Sequence, residues 1–532
     1  MGEVEEVGEV EVELKRFIYP SMLEWKKERD MSVLEGSPRT TVLQLEGPRG
    51  SGKTYLAKKF ATENYKYSLY LDMSTTEPQD VIDDFRANRL YGKNFCMRLL
   101  TKFAPDFIDS PDTLLIIDEI QDSAFLFNSI RDLMKFKFHV LIIGSYLGVT
   151  RRGNKYHYPS DDAFRIRITP LSFQEFLYNV GDYEKYMSLD LFGKSPCASY
   201  RELQKRYDEF MVIGGFPRAV LEFVKLERLR YKENHDMIIK ENRDKFIVIH
   251  AEIVDTLTTE CSKYLDDAEA KMFKTILSKL PEYIVNEKLG RTIDFTKFVS
   301  TEKDFDYNKV ESVVFWMENN MVLCSANKAI ECDITKLDYD ARLYFIDVGM
   351  ANYMYEMYCG AEESSNYAGA LAENFVFLIL DKKDHNISIL HRKPVYGTYG
   401  KGEIDFLEYS KITYNTFAID VKCGNGSSKT AIKLLSDRIV DYIVYARTTS
   451  SGGFGEPGML TIPIYLIDRF DYGITDNPAV AKSFHRIKVE QMKKEIEEQK
   501  RQDELVFEEG YVENFSWVYN EDEDDDEDED KT

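Results

Sequence analysis

Gly47-Pro-Arg-Gly-Ser-Gly-Lys-Thr54 decides how this chain is read, because these eight residues fit G-x-x-x-x-G-K-[ST] and lie between an apolar run, Thr41–Leu45, and a helix-like stretch, Tyr55–Thr62. A strand, a glycine loop and a helix in that order form the context in which such a motif binds a nucleoside triphosphate. Polyphosphate oxygens need several donors at short range. Glycines at 47, 50 and 52 let backbone N–H groups approach them, and Pro48, Arg49 and Ser51 complete the loop. Lys53 is expected to reach the β- and γ-phosphates, Thr54 to place its hydroxyl on Mg²⁺, and the following helix to point its positive end at the anion. ATP and Mg²⁺ are therefore the expected ligands.

Downstream, Leu114-Leu115-Ile116-Ile117-Asp118-Glu119 supplies four buried-strand residues and then two acids. Asp118 is expected to hold Mg²⁺ through water, and Glu119 to act as general base toward the attacking water. His139–Ser145 reads as a further central strand whose carboxyl end carries Ser145, a polar residue of the sensor type, toward the same crevice. With a fourth strand at Tyr67–Met73 and helix-like apolar spacing between the runs, the N-terminal part is predicted to be an α/β, doubly wound parallel sheet.

The 532 residues are 43% hydrophobic and 13% aromatic, enough for several cores. More than half of the formal charge of −24 sits at the ends: six Glu in residues 1–14, and ten acids with one Lys in residues 521–531. That balance argues against a basic nucleic-acid surface covering the whole chain, although a local basic groove is compatible with it. The seven cysteines form no C-x-x-C pair, which indicates neither a disulfide framework nor a zinc knuckle and fits a reducing cytoplasm. The acidic N-terminus lacks a positive n-region, and no apolar run approaches a membrane-spanning length, so no membrane association is expected.

Six stretches are expected. Residues 1–15 form a disordered acidic N-terminus, 16–180 the P-loop domain and 181–265 a helical lid region, in which Gly214, Gly215 and Pro217 interrupt two amphipathic segments. Residues 266–345 read as a winged-helix-like module, with helices at Lys271–Leu280 and Tyr307–Asn319 and a strand at Met321–Ser325. Residues 346–470 form a second α/β domain, with a helix at Glu373–Leu380 and strand runs at Ile387–His391, Ile404–Glu408, Phe417–Val421, Tyr442–Ala446 and Ile464–Ile467. Residues 471–532 hold a charged helix, Ile487–Glu504, and an acidic tail suited to solvation or to a basic partner.

Within 346–470, GEIDFL (Gly402–Leu407) and AIDVK (Ala418–Lys422) resemble the D…(D/E)-x-K signature of the restriction-endonuclease-like fold. In that reading Asp405, Asp420 and Glu373 converge on Mg²⁺, and Lys422, on the same strand face as Asp420, steadies the attacking water or the phosphate charge. Salt-bridged strand ends explain the same residues without chemistry, and so does a nuclease-like fold that does not cleave.

Taken in order, GPRGSGKT, LLIIDE, IIGS, TPLSFQEFL, GGFPRAV, RLYFIDVGM, AENFVF and EIDF…AIDVK resemble the prokaryotic AAA-type ATP-binding proteins that end in a nuclease-like domain of unknown function. The resemblance spans roughly 20–470. It implies an AAA-type ATPase core, a helical and winged-helix-like middle and a C-terminal domain of restriction-endonuclease-like fold. One departure concerns a Gly-Arg pair of the family between Ser145 and Pro170, where this chain has Arg151-Arg152-Gly153 and later Arg165 and Arg167. No arginine finger is therefore assigned, and dependence on a homo-oligomer stays open. Three functions compete: an ATP-hydrolysing switch that repositions the C-terminal domain and acts on nucleic acid, a non-hydrolysing nucleotide-gated scaffold with an inactive nuclease-like domain, and a Mg²⁺-dependent nuclease regulated by ATP.

Overall fold

The computed structural model describes residues 12–35, 41–87, 92–145, 163–229, 238–261, 263–286, 307–359, 364–383, 393–424, 426–449 and 452–472. The expectations for 1–11, Arg151 to Gly153, Ile387–His391 and 473–532 lie outside these residues.

Five parallel strands make the first sheet: β1 (Val42–Glu46), β2 (Tyr67–Asp72), β3 (Thr113–Asp118), β4 (His139–Gly144) and β5 (Ala163–Arg167), in the spatial order β2-β3-β4-β1-β5. All residues of β3 and β4 are buried, as continuous apolar runs covered on both faces should be. Alternation then divides each strand between two cores. Leu115, Ile117, Val140 and Ile142 face Leu99, Ile130 and Phe138 on one side. Leu114, Ile116, Leu141 and Ile143 face Trp25, Leu56 and Phe60 on the other. The order places β4 between β1 and β3, so the strands carrying the glycine loop and the two acids are not neighbours, and Ser145 at the end of β4 stands between them.

Helices Phe173–Val180, Cys197–Ile213, Pro217–Leu229 and Ile238–Cys261 follow. The turn Gly214–Phe216 separates the second from the third, as the glycines predict. Helices Asp267–Asn286 and Tyr307–Asn319 then lead into an eight-stranded sheet of order β12-β13-β11-β10-β9-β8-β6-β7. Its strands are β6 (Leu323–Ala329), β7 (Leu337–Phe345), β8 (Val395–Tyr399), β9 (Gly402–Tyr409), β10 (Thr416–Lys422), β11 (Tyr442–Arg447), β12 (Gly453–Phe454) and β13 (Met459–Pro463). β6 and β7 come from 266–345, yet β6 pairs in parallel with β8, so the strands of the two expected modules share one sheet. The run Ile464–Ile467, expected as a strand, is instead the start of a 3₁₀ helix, Ile464–Arg469. A short buried apolar run satisfies either geometry.

Candidate functional site

The helix Lys53–Asn64 begins at Gly52, whose φ of 91° is the left-handed conformation that a glycine adopts without strain. No side chain caps it there. Its first amides therefore keep their positive end open toward the glycine loop. Lys53 is buried and donates to the carbonyls of Gly47 and Pro48 at 3.0 and 2.8 Å. Burial pulls its ammonium down to about 8, while Glu119 and Asp118 act in the opposite sense. Ser51 Oγ is buried and has no hydrogen-bond partner among the described residues. A buried donor left unmade beside a lone buried cation fits an anion with several acceptor oxygens.

At the end of β3, Thr54 Oγ1 donates to Asp118 Oδ2 at 2.6 Å, and the Tyr70 hydroxyl donates to the same oxygen at 2.9 Å. Asp118 Oδ1 accepts from the Glu119 amide at 2.9 Å. Threonine hydroxyl and carboxylate thus stand together as hard oxygen donors of the kind Mg²⁺ takes, one carboxylate being enough when phosphate and water complete the shell. Glu119 has φ 48°, uncommon for a residue with a Cβ, where the chain leaves β3 for a short 3₁₀ turn. Glu119 Oε1 accepts from Arg49 Nη1 at 2.8 Å and from Ser145 Oγ at 3.1 Å, and Oε2 accepts from Gln121 Nε2 at 2.6 Å. Arg49 also faces Glu260 at 3.7 Å, and Tyr264 donates to Asp122 at 2.8 Å, so the end of the helix Ile238–Cys261 and the residues after it meet the acidic turn.

Segments outside the eight-residue motif shape its surroundings. Arg16 donates to Ser51 O at 3.1 Å, to Thr169 O at 2.7 Å and to Glu175 Oε1 at 3.0 Å. Burial would raise the Glu175 carboxyl, but Arg16 and Lys382 outweigh it and hold it near 2. Phe216 and Pro217 lie against Gly50 and Gly52, where an added Cβ would meet the Phe216 ring at 3.7 Å and Pro217 Cγ at 3.4 Å. Among the arginines left open as fingers, Arg167 pairs with Asp381 of its own chain at 3.6 Å and is largely buried, so it is not presented to a neighbouring copy.

The second expected site is organised differently. The register that pairs Ile419 with Phe406 brings Asp420 beside Asp405. Glu373, on the helix Ser364–Lys383, is 2% exposed; its Oε1 accepts from Arg342 Nη1 at 2.8 Å and from the Tyr344 hydroxyl at 2.6 Å. Lys422 donates to Asp420 Oδ1 at 2.9 Å, and Asp405 Oδ2 accepts from the Val421 amide at 2.7 Å. Burial, with the charges of Glu373 and Asp420, pushes the Asp405 carboxyl up to about 8. Burial also raises Asp420, against the pull of Lys422.

Among the described residues Glu373 Oε2 and Asp420 Oδ2 have no hydrogen-bond partner, and no three His, Cys, Asp or Glu side chains are grouped to hold a metal ion. Of the three carboxylates expected to hold Mg²⁺, Glu373 pairs with Arg342, Asp420 pairs with Lys422, and burial raises Asp405. Lys422, expected to face a water or phosphate, folds back onto Asp420. Arg342 was missed. Its signal is the single base of β7, a strand whose other charged residues are Asp338 and Asp340.

Residues 39–177 match the sequence family described as an AAA domain. No curated protein matches the chain. Among solved structures, a Walker-type ATPase of Pyrococcus abyssi is similar at 13% identity, over 62% of this chain and 95% of its own, with a TM-score of 0.39. The RuvB Holliday junction branch migration motor of Thermotoga maritima is similar at 15% identity, over 58% and 89%, with a TM-score of 0.28. The ORC1 protein of Aeropyrum pernix, solved in complex with DNA, is similar at 14% identity, over 65% and 94%, with a TM-score of 0.30. The chain contains an AAA-type P-loop domain of α/β fold with a parallel sheet, and among the described residues no helix is long and apolar enough to cross a membrane.

Proposed function

We propose that this chain binds ATP with Mg²⁺ in the pocket of Gly47 to Thr54 and hydrolyses it, and that the nucleotide state is felt by the C-terminal sheet. The observation that carries the proposal is the joining of Thr54, Asp118, Glu119 and Ser145 by hydrogen bonds of 2.6 to 3.1 Å around a buried lysine. Lys53 would hold the β- and γ-phosphates, with Thr54 and Asp118 holding Mg²⁺. When bound, Mg²⁺ neutralises charge between the phosphates. Glu119 would accept the proton of the attacking water, and Ser145 would keep that carboxylate aimed. Substituting Glu119→Gln keeps the shape but removes the base. ATP turnover should fall about 10²- to 10⁴-fold with binding retained, and an unchanged turnover overturns the hydrolytic part.

A specific contact supports the non-hydrolysing reading as a rival: both oxygens of Glu119 are engaged, by Arg49, Ser145 and Gln121. Glu119→Gln separates the two readings, because a scaffold has no turnover to lose.

For the C-terminal sheet we infer a structural or partner-binding role in place of strand cleavage, because its carboxylates are compensated by Arg342 and Lys422. Nor does the exposed face of the helix Tyr307–Asn319 favour nucleic acid. It presents Asn308, Lys309, Glu311, Ser312 and Phe315, one base against one acid, where phosphate contacts call for clustered cations.

A further inference from the structure

The turn that covers the glycine loop is held from the far side by the segment that opens the C-terminal part. Asp347, which follows β7, is 2% exposed and accepts from the Gly215 amide at 2.5 Å through Oδ2 and from the Met350 amide at 2.9 Å through Oδ1. The neighbouring Leu171 amide donates to Gly215 O at 2.6 Å. Asp347 lies so close that a Cβ on Gly214 would stand 2.2 Å from its Oδ1, and Gly214 has φ 70°. The next two residues of the turn, Phe216 and Pro217, are those packed on Gly50 and Gly52. His250 of the helix Ile238–Cys261 also neighbours this corner: a Cβ on Gly349 would stand 2.7 Å from its Nε2. One carboxylate is therefore bonded to the turn whose following residues pack on the glycine loop.

We propose that Asp347 is a positioning residue for the nucleotide pocket, holding Gly215 so that Phe216 and Pro217 brace the glycine loop, and that ATP binding is thereby coupled to the start of the C-terminal part. The proposal rests on the nucleotide-binding reading given above. It also defines the coupling as reciprocal: what Asp347 does for ATP, ATP must do for the contacts of Asp347.

The discriminating variant is Asp347→Asn. It keeps the shape but offers only one acceptor oxygen to two amide donors, so one of the two bonds is lost. Calorimetry of the full chain with ATP and Mg²⁺ should give about tenfold weaker binding for Asp347→Asn. Arg342→Met combined with Glu373→Gln, which alters the same β7 segment away from the turn without orphaning a charge, should bind like wild type. Equal weakening in both variants would mean general loosening and overturns the proposal, as does wild-type affinity in Asp347→Asn. Should the variant not fold, hydrogen exchange on the wild type decides. ATP must slow exchange at the amides of Gly215 and Met350, and unchanged exchange at both overturns the coupling. No saturable ATP binding by the wild type removes the underlying reading itself, an outcome distinct from a normal wild type with an unaffected variant.

Discussion

Arg342 Nη1 on β7 donates to Glu373 Oε1 at 2.8 Å, and the two side chains are 8% and 3% exposed. Arg342 Nη2 reaches Glu403 at 3.1 Å, and the guanidinium lies over the Tyr396 ring at 4.3 Å. A strand base and a helix acid thus neutralise each other where sequence reasoning placed a metal.

Breaking this pair from one side leaves a buried carboxylate that keeps the Tyr344 hydroxyl but loses its guanidinium. Arg342→Met should cost roughly 3–5 kcal/mol, the range for an orphaned buried partner. Adding Glu373→Gln, which keeps the Tyr344 bond, should restore most of the loss. Urea midpoints at pH 7 test both, and a neutral single substitution would show that the pair carries no charge compensation.

Asp405 gives the cluster a pH signature. Its folded-state carboxyl titrates at about 8, above the ordinary carboxylate value, so the folded chain holds a proton that the unfolded chain releases. That contribution is complete below about pH 4 and is lost as pH rises toward 8. Asp405→Asn mimics the protonated form. It should melt above wild type at pH 8, show little difference at pH 4, and flatten the decline between. A wild-type melting temperature raised by millimolar Mg²⁺ at pH 8, with the rise abolished in Asp405→Asn, would contradict the compensated cluster and revive the metal reading.

Ser145 supplies one of two bonds to Glu119 Oε1, and Arg49 keeps the other. Ser145→Ala should therefore lower ATP turnover about tenfold, the worth of one hydrogen bond to a charged group, with the affinity for ATP within a factor of about two of wild type. A larger loss of affinity than of turnover would place Ser145 in binding and not in orienting the base.

Lys53, held near 8 by burial, should take up a proton when a polyphosphate arrives, since the anion favours the charged form. Calorimetry at pH 8 in buffers of different ionisation enthalpy should show net proton uptake on ATP binding, decreasing at pH 6.5, where Lys53 is already charged. Proton release at pH 8 would contradict the lysine environment described.

The first sheet was legible because β3 and β4 are continuous apolar runs buried from both sides, and β1, interrupted by Gln44, leads directly into the glycine motif. β5, Ala163–Arg167, was not. Arg165 and Arg167 break its apolar pattern, and Arg167 meets Asp381, Met321 and Cys324 from distant parts of the chain. The same divide runs through the sites. Lys53, Thr54, Asp118 and Glu119 sit in two contiguous motifs whose chemistry is local. The partners that decide the rest, Arg342 against Glu373, Asp347 under Gly215 and Phe216 over Gly50, join segments that only the fold brings together.

A triphosphate held by the glycine loop and Lys53 underlies every functional step proposed for this chain. Isothermal titration of folded wild type and Lys53→Ala with ATP and Mg²⁺ tests it most directly. One saturable site is expected in the wild type, with binding at least about a hundredfold weaker in Lys53→Ala. No saturable binding by the wild type, or equal binding by the two proteins, would contradict it.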